Sequence, residues 1–138
     1  MEDRRRFSRY PVYCPIQFKC GMIHPRESSV TINLSEGGAL ISSSRGLETG
    51  QPMIIKINMC NEEFFIRSRV VHVQYGGEDS VYNVGIEFLD APADFRERFY
   101  GELEAIMLYQ RECINKTGQE ISLAEASVRW YRDRGLIR

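Results

Sequence analysis

Short runs in which apolar and polar residues alternate, broken at close intervals by glycine and asparagine, fill the chain from Val12 to Phe88. The runs 12–20, 28–34, 38–42, 52–60, 63–75 and 81–88 are rich in β-branched and aromatic residues, which suit a pleated, half-buried surface. Within 63–75 the alternation predicts two faces. Phe64, Ile66, Ser68, Val70 and His72 form the more apolar, inward one, and Phe65, Arg67, Arg69 and Val71 the outward one. Turn residues separate the runs at Gly21, Glu36-Gly37-Gly38, Gly46 to Gly50, Asn61-Glu62 and Gly76-Gly77. Strands this short with turns this close predict an all-β antiparallel barrel or sandwich rather than a βαβ sheet.

Beyond Asp90-Ala91-Pro92 the period becomes helical. Phe95, Phe99, Leu103, Ile106 and Gln110 mark one stripe, joined by Met107, with Arg96, Glu97, Glu102 and Glu104 around it. That stripe predicts a helix packed on the barrel. A break over Asn115-Lys116-Thr117-Gly118 leads to a second helix, with Ser122 and Glu125 spaced as a capping box and Leu123, Ala126, Trp130 and Tyr131 as its larger side chains.

The 138 residues fit one domain, and 18 Lys plus Arg against 19 Asp plus Glu leave a formal net charge of -1. That balance argues against bulk attraction to nucleic acid or to an anionic membrane, so any anion-binding surface must be local. Arg4, Arg5, Arg6 and Arg9 show where to look. No apolar run reaches the roughly 18–20 residues that span a bilayer, and MEDRRRFSRY is followed by no apolar leader segment. A cytoplasmic protein that does not insert into membranes is expected. Cys14, Cys20, Cys60 and Cys113 form no CxxC pair, and Cys14, Cys20 and His24 are poorly spaced for zinc, so reduced thiols and no metal are expected. Neither His24 nor His72 sits in a triad pattern, and Glu36-Gly37-Gly38 leads into a strand rather than a phosphate-binding helix. No catalytic activity is expected.

Two segments carry chemistry together: Arg4-Arg5-Arg6-Phe7-Ser8-Arg9, which contains RxxxR from Arg5 to Arg9, and Asn33-Leu34-Ser35-Glu36-Gly37-Gly38, of the form NxSxxG. In this order, at the mouth of a barrel pattern, they resemble the signature of the PilZ family, RxxxR followed by [DN]xSxxG. Val70-Val71-His72-Val73 and Asn83-Val84-Gly85-Ile86-Glu87-Phe88 are similar to the family's middle and closing strands, so the resemblance covers residues 3 to about 110. It implies a six- to seven-stranded antiparallel PilZ-type β-barrel followed by two C-terminal α-helices. The expected organisation is a basic arm at 1–10, loose until ligand binds, a barrel with its packed helix at 11–113, and a helical extension at 114–138.

The resemblance further implies a bacterial receptor for the second messenger cyclic di-GMP, with no other cofactor. Arginine suits this ligand because its planar fork pairs with phosphate or with guanine O6 and N7, and its plane stacks on a base. Carried over by position, Arg5 and Arg9 grip phosphate and guanine. Asn33 and Ser35 hydrogen-bond the ligand from the barrel side, and Gly38 lets the backbone approach it. Asn33 stands where many members have Asp; it is neutral and offers both a donor and an acceptor. Arg4, directly before RxxxR, implies two ligand molecules per protomer. His72 stands where some members place a Trp near the ligand, a lesser contact. The extension, outside the resemblance, is expected to pack on the barrel or to mediate self-association or partner docking. Its RWYRDRGL stretch is loosely similar to MerR-type DNA-binding domains, without the helix and turn that such a domain needs. The alternatives are a PilZ-like module that binds an unknown downstream protein and no nucleotide, and a basic-arm nucleic-acid binder on an OB-like barrel.

Overall fold

A computed structural model describes residues 7–21, 25–76 and 81–137. Six strands, β1 (Pro15–Lys19), β2 (Glu27–Ser35), β3 (Gly38–Ser43), β4 (Pro52–Met59), β5 (Glu62–Tyr75) and β6 (Tyr82–Asp90), precede the helices α1 (Phe95–Thr117) and α2 (Leu123–Asp133). The strands close into an antiparallel barrel in the order β1-β2-β3-β6-β5-β4. The expected barrel with two following helices is thus the observed fold.

Alternation builds the interior. Ile55 and Ile57 of β4, Phe64, Ile66 and Val70 of β5, and Val84 and Ile86 of β6 are buried. Each contributes about 1.5–3 kcal/mol by leaving water. Along β5 the predicted inner face holds as far as Val70 and then breaks at His72, which is exposed. A bulge between Val70 and His72 is the cause: Val70 pairs with Ile86 but His72 with Gly85, so the extra residue inverts the phase. β4 ends at Met59 rather than at residue 60, because Cys60 and Asn61 make the hairpin turn with φ of 53° and 63°. Positive φ at both central positions is the mark of a type I′ turn, and with Met59 opposite Glu62 the turn lies one residue earlier than Asn61-Glu62.

The helices close the core. Phe95, Phe99, Leu103 and Ile106 are buried, and the Phe95 ring meets Phe64 and Phe88 edge-on, with centroids 5.4 and 5.7 Å away. Met107 does not join them: it is 39% exposed, since one residue beyond Ile106 turns about 100° off the stripe. The helix continues through the expected break to Thr117, where Gly118 at φ 70° donates its N–H to the Ile114 carbonyl. At the next cap, the Ser122 hydroxyl accepts the Glu125 N–H at 3.0 Å, half of the predicted capping box. α2 then returns to the barrel: Ser127 Oγ accepts the Tyr13 N–H at 2.9 Å, and Ala126 and Tyr131 are buried. The extension's helix is therefore part of the packed core.

Candidate functional site

The NxSxxG motif begins on β2. The second half of this strand carries Asn33 and Ser35, and β2 and β3 join through a two-residue turn, Glu36-Gly37, with Ser35 opposite Gly38. A bulge between Thr31 and Asn33 puts Asn33 opposite Leu40 and resets which side chains face inward. The Ser35 hydroxyl is buried within the turn, accepting the Gly37 N–H at 3.1 Å and lying 3.3 Å from the Gly38 carbonyl. Asn33 differs: its Oδ1 is sealed from solvent and accepts no hydrogen bond among the described residues. Such an atom carries an uncompensated cost of about 1–3 kcal/mol.

The chain leading into the barrel lies against this strand. Tyr10 and Leu34 exchange two backbone hydrogen bonds of 2.9 Å, an antiparallel bridge. Continuing its register places Arg9 beside Ser35 and Phe7 beside Gly37, and the Phe7 ring indeed occupies the space that a Gly37 Cβ would take. Just inward, the buried Thr31 hydroxyl accepts the Cys14 N–H at 2.8 Å and donates to the Val12 carbonyl at 2.6 Å. These contacts tie residues 10–14 to β2, and the Tyr10 ring lies 6.1 Å from that of Phe99. The bridge and the Phe7 packing set Tyr10 and Phe7 against β2 and its turn; residues 1–6 of the expected arm lie outside the described residues.

Of the expected ligand residues, Asn33, Ser35 and Gly38 stand at this turn, and Arg9 directly precedes the bridged Tyr10. Arg4 and Arg5 lie outside the described residues. His72 lies elsewhere in the sheet, on β5: it pairs with Gly85, whose other neighbour is Leu40. A Cβ on Gly85 would sit 3.2 Å from His72 Cβ. The space that a Gly38 Cβ would need is filled by the Ile86 carbonyl oxygen, so this glycine serves the close approach of β3 and β6.

Charge at the turn involves residues that sequence reasoning did not single out. Glu36, its side chain 12% exposed, lies 2.8 Å from the Arg96 guanidinium in the first turn of α1. Arg96 also sits 6.0 Å from the Tyr100 ring centroid. Burial pushes the Tyr100 phenol above its ordinary range, with Glu36 and Tyr10 adding to the effect. The available signal was Glu36 itself, a carboxylate inside an otherwise basic pair of motifs. The Phe88 N–H donates to the Gly37 carbonyl at 2.9 Å and fastens the turn to the end of β6.

Elsewhere the chemistry is muted. Among the described residues no three His, Cys, Asp or Glu side chains group as a metal site. Burial pushes the Cys14 thiol up to about 12, far from a reactive thiolate. No helix of the described residues is long and apolar enough to cross a membrane.

A family model described as the PilZ domain matches residues 3–104. No curated protein sequence matches the chain. Among solved structures, it is similar to the Bacillus subtilis inhibitor of motility MotI/DgrA at 16% identity and a TM-score of 0.62, covering 84% of this chain and 54% of that one. It is also similar to MrkH of K. pneumonia in its c-di-GMP complex, at 16% identity and a TM-score of 0.60, covering 86% and 56%. The PilZ domain of Escherichia coli YcgR with c-di-GMP matches at 17% identity and a TM-score of 0.54, covering 85% of this chain and 99% of that domain. The chain thus spans about half the length of MotI/DgrA and of MrkH. At these identities the likeness is one of fold.

Proposed function

This chain belongs to the PilZ domain family, and on that premise we propose that it is a cytoplasmic receptor for cyclic di-GMP that works by binding rather than catalysis. The observation that supports this most is the Tyr10–Leu34 bridge, which sets the residue after Arg9 against the strand of Asn33 and Ser35, where the Asn33 Oδ1 is sealed from solvent and without a hydrogen bond among the described residues. Arginine forks supply what two phosphates and two guanines require, and Asn33 supplies a polar edge on the barrel side. Arg4 and Arg5 complete the cationic set, and Arg4 favours a stacked pair of ligand molecules per protomer. Ser35 acts mainly through the turn that its hydroxyl holds. The cyclic di-GMP complexes of the similarly folded MrkH and YcgR domain support the same ligand class.

Calorimetric titration with cyclic di-GMP, with GTP as control, tests the reading. Saturable binding at two ligands per chain, and none with GTP, is expected. Asn33→Ala is expected to weaken it about tenfold, the ~1.4 kcal/mol of one hydrogen bond to a polar ligand edge. No heat from the folded chain would overturn the messenger reading and leave a protein-binding module.

The signal is proposed to be a clamped arm. Ordering each residue costs about 1–2 kcal/mol of backbone entropy, and each charge-assisted hydrogen bond to ligand returns about 1.5–3 kcal/mol. The arm and barrel mouth then present a joint surface to a downstream protein. Cleavage within the first ten residues by trypsin is expected to slow at least fivefold at saturating ligand. Equal rates with and without ligand would count against the clamp.

A further inference from the structure

We infer that Arg96 is a further determinant of ligand affinity: it pairs with Glu36 and cancels a negative charge that would otherwise oppose an anionic ligand at the Asn33–Gly38 turn. The inference rests on the ligand reading above. Glu36 lies between Ser35 and Gly37, inside the motif that meets the ligand, and its side chain is only 12% exposed. Its Oε2 atom is sealed from solvent and makes no aligned hydrogen bond among the described residues, so the Arg96 guanidinium at 2.8 Å answers it chiefly as a counter-charge. With the Glu36 side chain this buried, water has little room to screen the carboxylate.

Arg96 itself is 75% exposed. An ion pair with one partner this exposed contributes little to folding. Its weight falls instead on what approaches Glu36. With Arg96 absent, the carboxylate repels the ligand phosphates and attracts arm arginines that the ligand needs. The arginines of β5 have carboxylate partners of their own: Arg69 is held at 3.2 Å by Glu87, and Arg67 at 3.6 Å by Asp90. Arg96 is therefore a positioning residue whose effect is electrostatic and runs through Glu36.

The test is calorimetry of the full chain with cyclic di-GMP, using wild type, Arg96→Ala, Arg96→Lys, Glu36→Gln and the Glu36→Gln/Arg96→Ala pair. Arg96→Ala is expected to bind about tenfold more weakly, equivalent to ~1.4 kcal/mol. Arg96→Lys is expected to lie within about threefold of wild type, because it keeps the charge. Glu36→Gln is expected to bind about two- to fivefold more tightly, and the double variant to return to within about twofold of wild type. The Arg96→Ala deficit is expected to shrink in 0.5 M salt, as a screened charge effect does and a lost packing contact does not. Wild-type binding with Arg96→Ala unchanged would overturn this inference and leave the receptor reading intact. A double variant as weak as Arg96→Ala would overturn it too. No binding by the wild type would overturn both, and Glu36→Gln carries the test independently of how Arg96→Ala folds.

Discussion

Gly38→Ala is expected to destabilise the barrel by about 3 kcal/mol, a fall in Tm of roughly 10 °C. Gly38 is not among the described glycines at positive φ, which are Gly21, Gly50, Gly118 and Gly135. Conformational freedom is therefore not the reason for glycine here. The reason is steric: an added Cβ would enter the space of the Ile86 carbonyl oxygen. A backbone atom cannot rotate aside as a side chain would, so β3 and β6 must separate where Gly38 pairs with Glu87 and the Phe88 N–H reaches the Gly37 carbonyl. Gly50→Ala, where nothing stands within 4 Å of the added carbon but φ is +90°, is the comparison that isolates backbone strain. Thermal unfolding by circular dichroism reads both. A Gly38→Ala chain as stable as wild type would show that β3 and β6 yield at that point. Lost ligand binding in this variant, taken alone, would report the damaged turn and not a missing ligand contact.

Arg9→Ala is expected to weaken cyclic di-GMP binding at least about a hundredfold, ~2.7 kcal/mol, while leaving Tm within about 2 °C of wild type. Arg9 is exposed, one residue before the Tyr10–Leu34 bridge, so the backbone that places it survives the change. The loss is that of a bidentate, charge-assisted grip on phosphate or guanine, with about 1.5–3 kcal/mol per hydrogen bond at stake. Arg9→Lys is expected to recover less than a tenth of the lost affinity, because an ammonium lacks the planar fork. Arg5→Ala is expected to match Arg9→Ala, since RxxxR supplies both arginines to one ligand. Calorimetry against folded controls decides the matter. Wild-type affinity in Arg9→Ala would separate the arm from the site.

Some departures of the structure from the sequence reading come from contacts between segments distant along the chain, others from local geometry. The β5 alternation was legible from Phe64 to Val70, and each of its predicted inward residues is buried. It failed at His72 because a bulge against β6 added one residue, which a period-two pattern within one strand does not record. Met107 was drawn into the helical stripe by its apolar character, while the turn of the helix carries it outward. The candidate site divides similarly. Asn33, Ser35, Gly38 and Arg9 were picked out by the resemblance of NxSxxG and RxxxR to the PilZ signature. Phe7 on Gly37 and Arg96 on Glu36 belong to no local pattern.

The sequence by itself determined an all-β antiparallel core, the helices that follow it and the pair of motifs, because strand alternation, turn residues, capping and spacing are properties of neighbours along the chain; the choice of barrel over sandwich came from the family resemblance. Only the tertiary structure decided that the residue after Arg9 pairs with the strand of Asn33, that Gly38 yields its space to Ile86, that His72 leaves the inner face, and that Glu36 answers to a helix some sixty residues away. Those outcomes depend on barrel closure, register and bulges, which set distances between segments that no local pattern encodes.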